Sequence, residues 1–293
     1  MIDKLEMFLA LAREKHFGRA AESVGVAQPT LSAAIRQLEE SLGVMLVRRG
    51  SRYGGLTPEG ERVLGWARRI VGDARAMREE VRVARGGLGG RLALAVIPTA
   101  LGAASRLTAG FAMAHPGVRV TVVSATSAAI LDGIEALTFD AGISYLDNEP
   151  LGRAATMPLY EERYALILRE DHALAGRPQI AWAGLGGLPL CLLTPDMQNR
   201  RIVARHLAEA GLATAPQVET NSITVLVAHV LAGGWATILP RGAAEVFLAH
   251  GPLAAVPLTD PDAGHLVGLV APPREPQTPL VAALLHEAAR LKA

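Results

Sequence analysis

Cysteine is almost absent: Cys191 stands alone among 293 residues. One thiol excludes an internal disulfide and a multi-cysteine metal site, and its ordinary reading is a small buried hydrophobe. Half of the residues are hydrophobic, yet no run approaches the roughly eighteen uninterrupted apolar residues of a membrane span. The opening MIDKLEMFLALAREKHF is charged at both ends of a short apolar patch and lacks a small-residue cleavage site. No secretory signal is read there, and a cytoplasmic location with no membrane partner is expected. HExxH, Walker A and GxSxG motifs are missing and the eight His are scattered. The sequence therefore gives no sign of an enzyme, a metal site or a resident cofactor. Internal repeats and low-complexity tracts are lacking too.

Net charge is also nearly absent, at +1, but it is unevenly spread. Up to Gly90 there are 15 Lys and Arg against 11 Asp and Glu, and beyond it 14 against 17. A basic N-terminal part suits a polyanionic partner and equally a solvated surface. The clearest punctuation is ARGGLGGR, Ala84 to Arg91, which reads as a hinge. Before it lie helical periodicities. After it, β-like runs such as LALAVI and VRVTVV alternate with helical ones such as AAILDGIEAL, which argues for an α/β domain with mostly parallel sheets.

The stretch AAESVGVAQPTLSAAIRQLEE, Ala20 to Glu40, reads as helix, a break at Gly25-Val26, and helix again. In the second helix Leu31, Ile35, Leu38 and Leu42 are spaced as one apolar stripe. The opposite face carries Gln28, Pro29, Ser32, Ala33 and Arg36, small and polar enough for another macromolecule to approach. Gly25 can take the positive φ of the turn. Pro29 is tolerated in a first turn, whose N–H groups have no partner inside the helix and favour a phosphate. Ala27 leaves the cap without a side-chain oxygen. Gln and Ser can bond base edges, while Arg can take guanine or phosphate. Downstream, VMLVRRGSRYGGLTPEG gives a short strand, a basic turn with Arg48, Arg49 and Arg52, and a return through Gly54-Gly55: a wing whose arginines would reach phosphate or the minor groove.

FGRAAESVGVAQPTLSAAIRQLEESLGVMLVRR and the following LTPEG resemble the N-terminal domain of LysR-type transcriptional regulators. The resemblance implies a winged helix-turn-helix on a double-stranded DNA operator. Gln28, Pro29, Thr30, Ser32 and Arg36 fall at recognition-helix positions, and Arg48, Arg49 and Arg52 at the wing. Ala27 and Val47 depart from the family's usual serine and aromatic.

Thr57 can cap a further helix, with Pro58 at its first position and Glu59 and Glu61 complementing its positive end. Val63, Ala67, Ile70, Ala74, Met77 and Val81 follow at alternating spacings of four and three, the seam of a coiled coil. A second copy would supply the partner, although the stripe could instead pack on its own domain. By resemblance, members pair through this helix and assemble as tetramers, with RNA polymerase a further partner.

In the C-terminal part, hydroxyl and amide residues recur at strand ends: Pro98-Thr99, Ser124 to Ser127, Thr194-Pro195-Asp196 and Asn221-Ser222. Ligands of open α/β sheets bind beyond such ends. FDAGISYLDNEPLG, ERYALILREDHAL and VAHVLAGGWATILP resemble the family's effector-binding domain, a periplasmic-binding-protein fold of two α/β subdomains. The resemblance implies a co-inducer cleft bordered by Thr99, Ser127, Gly233, Gly234 and Trp235, to which the strand-end reading adds Pro98, Thr194 and Asn221. Arg200-Arg201 could clamp a carboxylate with a guanidinium fork or lie on a surface. EALTFDAGISYLDNEPLGR and LCLLTPDMQNRRI are similar to a subgroup associated with formate dehydrogenase genes, which implies formate or a related small anion as effector.

The expected organisation is a winged helix-turn-helix at 1–58, a linker and dimerisation helix at 59–85, a hinge at 86–90 and an effector-binding domain at 91–293. That domain divides into subdomain I (91–162 and 268–293) and subdomain II (163–267). The expected function is effector-responsive transcriptional regulation. An effector-independent architectural DNA binder, a solute-binding protein, an enzyme and a redox sensor using Cys191 are the competing readings.

Overall fold

The computed structural model describes residues 1–48, 53–147, 150–213 and 215–292. It divides into two compact units, Met1–Gly89 with Glu135–Thr138, and Gly90–Ile134 with Phe139–Ala293.

The first unit opens with three helices, α1 (Ile2–Glu14), α2 (Phe17–Ser23) and α3 (Gln28–Leu42). His16 caps α2, its Nδ1 accepting from the Gly18 and Arg19 amides at 3.1 and 3.2 Å. Gly25 takes φ 69° in the turn, a value that favours glycine. Ala27 caps α3 without a side-chain bond. Leu31, Ile35 and Leu38 bury into a core with Leu5, Phe8 and Leu11. Leu42 was expected to extend that stripe, but it is 44% exposed. Glu39 is buried instead, and its carboxylate accepts from the Leu46 and Val47 amides at 2.7 and 3.1 Å. That bond ties the wing to α3, as an apolar residue there could not. Val47 bridges Leu56 in antiparallel fashion, and the Arg48 amide donates to the Gly55 carbonyl at 3.0 Å.

Helix α4 (Pro58–Gly86) starts at Thr57, whose hydroxyl accepts from the Gly60 amide at 2.9 Å. Its buried face is Gly60, Leu64, Ala67, Val71 and Ala74. This corrects the expected seam. Ala67 lies in the unit's own core with Val63 packed against it, and Ala74 is buried as well. Ile70, Met77 and Val81 are exposed, as is Trp66. Spacings of three and four run along two adjacent faces of a helix. The sequence stripe had merged these two faces, because alanine fits either.

The second unit begins with β1 (Gly90–Val96), β2 (Val118–Ser124) and β3 (Ala141–Tyr145), which are parallel around β1. Helices α5 (Leu101–Ala114) and α6 (Ser127–Glu135) make the crossovers, as chirality and connection length require of parallel strands. The long strand β4 (Ala155–Arg169) belongs to both lobes. Residues 155–163 pair with β10 (Gly264–Ala271), and 164–169 with β8 (Thr237–Pro240) and β9 (Leu253–Thr259). The return passes between β9 and β10 over residues 260–263, short of the expected Gly268, which lies inside β10 and pairs with Ser144. The second lobe adds β5 (Ile180–Ala181) beside β9, a parallel pair of β6 (Cys191–Leu193) and β7 (Val218–Thr220), and helices α7 (Gln198–Glu209), α8 (Ile223–Ala232) and α9 (Arg241–Leu248). Helix α10 (Pro279–Lys292) closes the chain. Strand pairings are parallel and antiparallel in equal number among the described residues, rather than mostly parallel. The chain leaves the first lobe along β4 and re-enters it just before β10, and both strands run antiparallel to every neighbour they pair with. Cys191 is fully buried, its Sγ facing the Leu226 and Ala236 carbonyls at 3.7 and 3.6 Å.

Candidate DNA interface and effector cleft

On the first unit, Gln28, Pro29, Thr30 and Arg36 are exposed and Ser32 is half-buried. Gln28, Ser32 and Arg36, four residues apart, follow one line along α3 beside the buried stripe with Pro29 next to it, while Thr30 lies further round the helix. Arg48 is exposed beside the wing pairing. Arg49 and Arg52 lie outside the described residues. At the start of α3 the Gln28 and Thr30 amides, on either side of Pro29, have no capping side chain among the described residues and suit a phosphate.

On the second unit, a cavity lies between the lobes where β1, β3 and β6 end. It is lined by Pro98, Thr99, Thr126, Ser127, Tyr145, Gln198 and Asn199, with Ile97, Leu193 and Met197 as its apolar walls. About 10 Å³ is open to the centre of a water-sized sphere, which is room for about one ordered water or a ligand little larger. Thr126 caps α6 by accepting from the Ala129 amide at 3.1 Å. The next residue, Ser127, is 2% exposed, and its Oγ is buried without a hydrogen-bond partner among the described residues. The Thr194 Oγ1 is buried and unpartnered as well, but Thr194 does not line the cavity.

Of the residues expected to border an effector cleft, Pro98, Thr99 and Ser127 line this cavity. Asn221, Gly233, Gly234 and Trp235 do not line the cavity. Asn221 is exposed, and the Trp235 indole donates to Gln217 at 3.2 Å and meets His229 edge-on. The expected carboxylate clamp is also absent. Arg200 is buried and pairs with Glu219 at 3.2 Å, while Arg201 donates to the Asp196 carbonyl at 2.8 Å and the Gln198 Oε1 at 2.7 Å. Arg201 ties down the start of α7 and Arg200 reaches across to β7, its Nε buried without a partner, and among the described residues no cation lines the cavity.

Behind the cavity runs a polar network that the sequence did not reveal. Asn199 Nδ2 donates to the Tyr164 hydroxyl at 3.2 Å, and Tyr164 stands 3.3 Å from the Tyr145 hydroxyl. Tyr145 donates to Glu162 at 2.7 Å, and Tyr160 donates to the other carboxylate oxygen at 3.2 Å. Burial pushes the Glu162 carboxyl up to about 7, against the hydrogen bonds from Tyr145, Tyr160 and Thr99 that favour its charged form. Further along, His206 of α7 and His265 of β10 meet with their Nε2 atoms 3.2 Å apart. The Nδ1 of His265 lies 3.3 Å from Asp147, and that of His206 the same distance from Glu209. Trp182 packs on the His206 ring. Burial holds both imidazoles below the usual histidine range. The only sequence signal for this cluster was the polar interruption YEERY ahead of the apolar half of β4.

A winged helix-turn-helix joined to a two-lobed α/β unit with a small cleft defines a ligand-responsive DNA-binding regulator. Residues 2–61 match the bacterial regulatory helix-turn-helix protein, lysR family, and residues 85–292 match the LysR substrate binding domain. The chain belongs to the LysR family of DNA-binding transcriptional regulators. It is 30% identical over 278 residues to the DNA-binding transcriptional dual regulator OxyR of Escherichia coli K12, covering 94% of this chain and 90% of that one. It is 33% identical over 273 residues to a probable hydrogen peroxide-inducible genes activator of Streptomyces viridosporus, covering 91% and 86%. Among solved structures, a full-length OxyR from Pseudomonas aeruginosa bearing a cysteine-to-aspartate substitution superposes with a TM-score of 0.77 at 26% identity, covering 100% and 95%. These relatives give no support to the formate dehydrogenase subgroup. The helix-turn-helix and the family match also remove the enzyme and solute-binding readings. Among the described residues no helix is long and apolar enough to cross a membrane.

Proposed function

We propose that two copies of this regulator pair through the exposed face of α4 and read a two-fold symmetric operator with α3. The same reading has paired dimers form a tetramer, in which a small molecule closing the two lobes of the second unit changes the arrangement on DNA. The observation that carries this reading is the division of α3: Leu31, Ile35 and Leu38 are buried while Gln28, Pro29, Thr30 and Arg36 stay open. Gln28 and Ser32 are the proposed base readers. Arg36, Arg48, Arg49 and Arg52 hold phosphate or the minor groove, with Pro29 and Thr30 admitting the backbone closely. Ser32→Ala is expected to cost about 1 to 3 kcal/mol of discrimination at one base pair. Arg48→Ala should weaken specific and random DNA alike and flatten the salt dependence. Equal losses for both variants on both DNAs would refute this division.

Met77 is 58% exposed and Ile70 40%, and with Val81 and Trp66 they form an apolar stripe that a second α4 would cover. Met77→Asp should leave the melting of the C-terminal unit unchanged, shift the sedimenting species toward monomer and abolish tight operator binding. A variant that stays dimeric would remove α4 from the interface.

The effector reading rests on the cavity, which Pro98, Thr99 and Ser127 border, and on the buried Ser127 hydroxyl without a partner. A nuclease footprint on the chain's own upstream region, with and without small molecules of a few heavy atoms, tests the whole reading. Hypersensitive sites that move with one compound support it; an unaltered footprint leaves the architectural reading in its place. The hydrogen peroxide named for the relatives suits this chain as a small ligand rather than as the oxidant of a thiol pair. Cys191 is the sole cysteine, fully buried, and burial pushes its thiol up to about 11.

A further inference from the structure

We propose that the ligand of this cleft is a small uncharged molecule bearing both a hydrogen-bond donor and an acceptor, and that the Glu162–Tyr145 pair behind the cavity selects against carboxylates. The proposal rests on the effector reading above and assigns the class of ligand.

Among the described residues no Lys, Arg or His lines the cavity; the nearby Arg201 bonds Asp196 and Gln198 and Arg200 pairs with Glu219, its remaining Nε buried away from the cavity lining. The positive features that remain are the N-terminal ends of α6 and α7, whose first residues, Ser127 and Gln198, both line the cavity. Each end is equivalent to roughly half an elementary charge. Against them stands Glu162, one hydrogen bond behind the cavity-lining Tyr145, with the Asp147 carboxylate adding to the negative field on Glu162. When Glu162 is ionised, one full negative charge offsets two half-charges, so an entering anion gains almost nothing for the water it must shed.

The hydrogen-bonding groups agree with this balance. Ser127 Oγ is a buried hydroxyl without a partner and can donate or accept. Gln198 accepts from Arg201 through Oε1, so its amide N–H groups are the donors left for the cleft. Asn199 donates through Nδ2 to Tyr164, which leaves its carbonyl oxygen as an acceptor. A ligand with donor and acceptor on adjacent atoms satisfies all three, whereas a carboxylate has only acceptors and strands the Asn199 oxygen. The cavity's size restricts that ligand to a few heavy atoms.

Formate and formamide have nearly the same shape and differ in charge, so they are the probes. With the full-length protein at about pH 8, formamide should shift the Ser127 and Gln198 amide resonances and formate should bind about tenfold more weakly. Glu162→Gln removes the charge and should tighten formate about tenfold while leaving formamide unchanged. Ser127→Ala should weaken both probes alike and leave their ratio as it was, which guards against a Glu162 variant that folds poorly. Formate binding the wild type as well as formamide does, with a ratio that Glu162→Gln does not alter, would overturn the ligand class and leave the cleft as the effector site. If neither probe moves the cavity resonances at saturating concentration, the class and the cleft reading fall together.

Discussion

Gly60→Ala is expected to destabilise the N-terminal unit by on the order of 3 kcal/mol, lowering its melting transition by roughly 10 °C or more. A Cβ at this position would come within 2.1 Å of the Leu46 carbonyl oxygen and 3.0 Å of its carbon. Those are backbone atoms. They cannot swing aside like a side chain, because the same carbonyl accepts from the Thr57 amide at 3.0 Å and the Leu46 amide is held by Glu39. The first turn of α4 therefore lies directly on the wing, and only glycine permits the approach. DNA binding should fall with stability, since wing and recognition helix share Glu39. Gly65 is the control: no atom lies within 4 Å of a Cβ built there, so Gly65→Ala should be neutral or stabilising by up to about 1 kcal/mol through helix propensity. Thermal melts followed by circular dichroism for the two variants decide it. Equal transitions would mean that the wing yields easily and that the contact with Leu46 is not a constraint.

The N-terminal unit was readable in the sequence because its determinants are local. A turn glycine, an apolar stripe and a capping threonine lie within one or two turns of what they organise, and the structure has each of them. The misreadings arose where one pattern served two faces. Ala67 and Ala74 fitted the seam spacing, yet they fill the interior beside Leu64 and Val71. Leu42 continued the stripe of α3 beyond the point where the wing covers it, and Glu39, which looks like a surface residue in the sequence, took the buried place through two backbone bonds. In the second unit, Thr99 and Ser127, which each follow a parallel strand and begin a helical turn, line the cavity between the lobes. Glu162 and Tyr164 left only the polar interruption YEERY, and Tyr145, Asn199 and the histidine pair left no local trace. They come from β3, β4, α7 and β10, up to 120 residues apart in the case of Tyr145 and His265, and they meet only because the chain crosses between the lobes twice, along β4 and again just before β10. Arg200 and Arg201 misled for the opposite reason: adjacent arginines suggested an anion, but each had already found its own acceptors.

Those buried groups give the second unit opposing responses to pH, and Glu162→Gln is expected to remove one of them. Folding raises the Glu162 carboxyl from its ordinary value of 4.5 to about 7, so the folded state holds this proton more tightly than the unfolded chain does. The stability it contributes is complete at acid pH and is lost as pH rises through about 7, because a carboxylate must then be kept in a buried site. The glutamine variant, uncharged throughout, should be more stable than wild type at about pH 8 by up to roughly 3 kcal/mol and nearly equal to it at about pH 5. The histidines act in the other direction. Burial lowers both, and for His206 the neighbouring His265 charge lowers it further. With both rings neutral, one Nε2 donates to the other across 3.2 Å; with both protonated, two N–H groups point at each other inside the junction, with Arg205 adding to the repulsion. Their contribution is present above the ordinary histidine value and is lost as pH falls below it. Wild-type stability should therefore peak in mildly acid to neutral solution and fall on both sides, while the glutamine variant keeps the acid fall and loses the alkaline one. Urea denaturation from about pH 5 to 8 on both proteins measures this directly. Two parallel curves would show that Glu162 already shares water in the folded state and exerts no charge on the cleft.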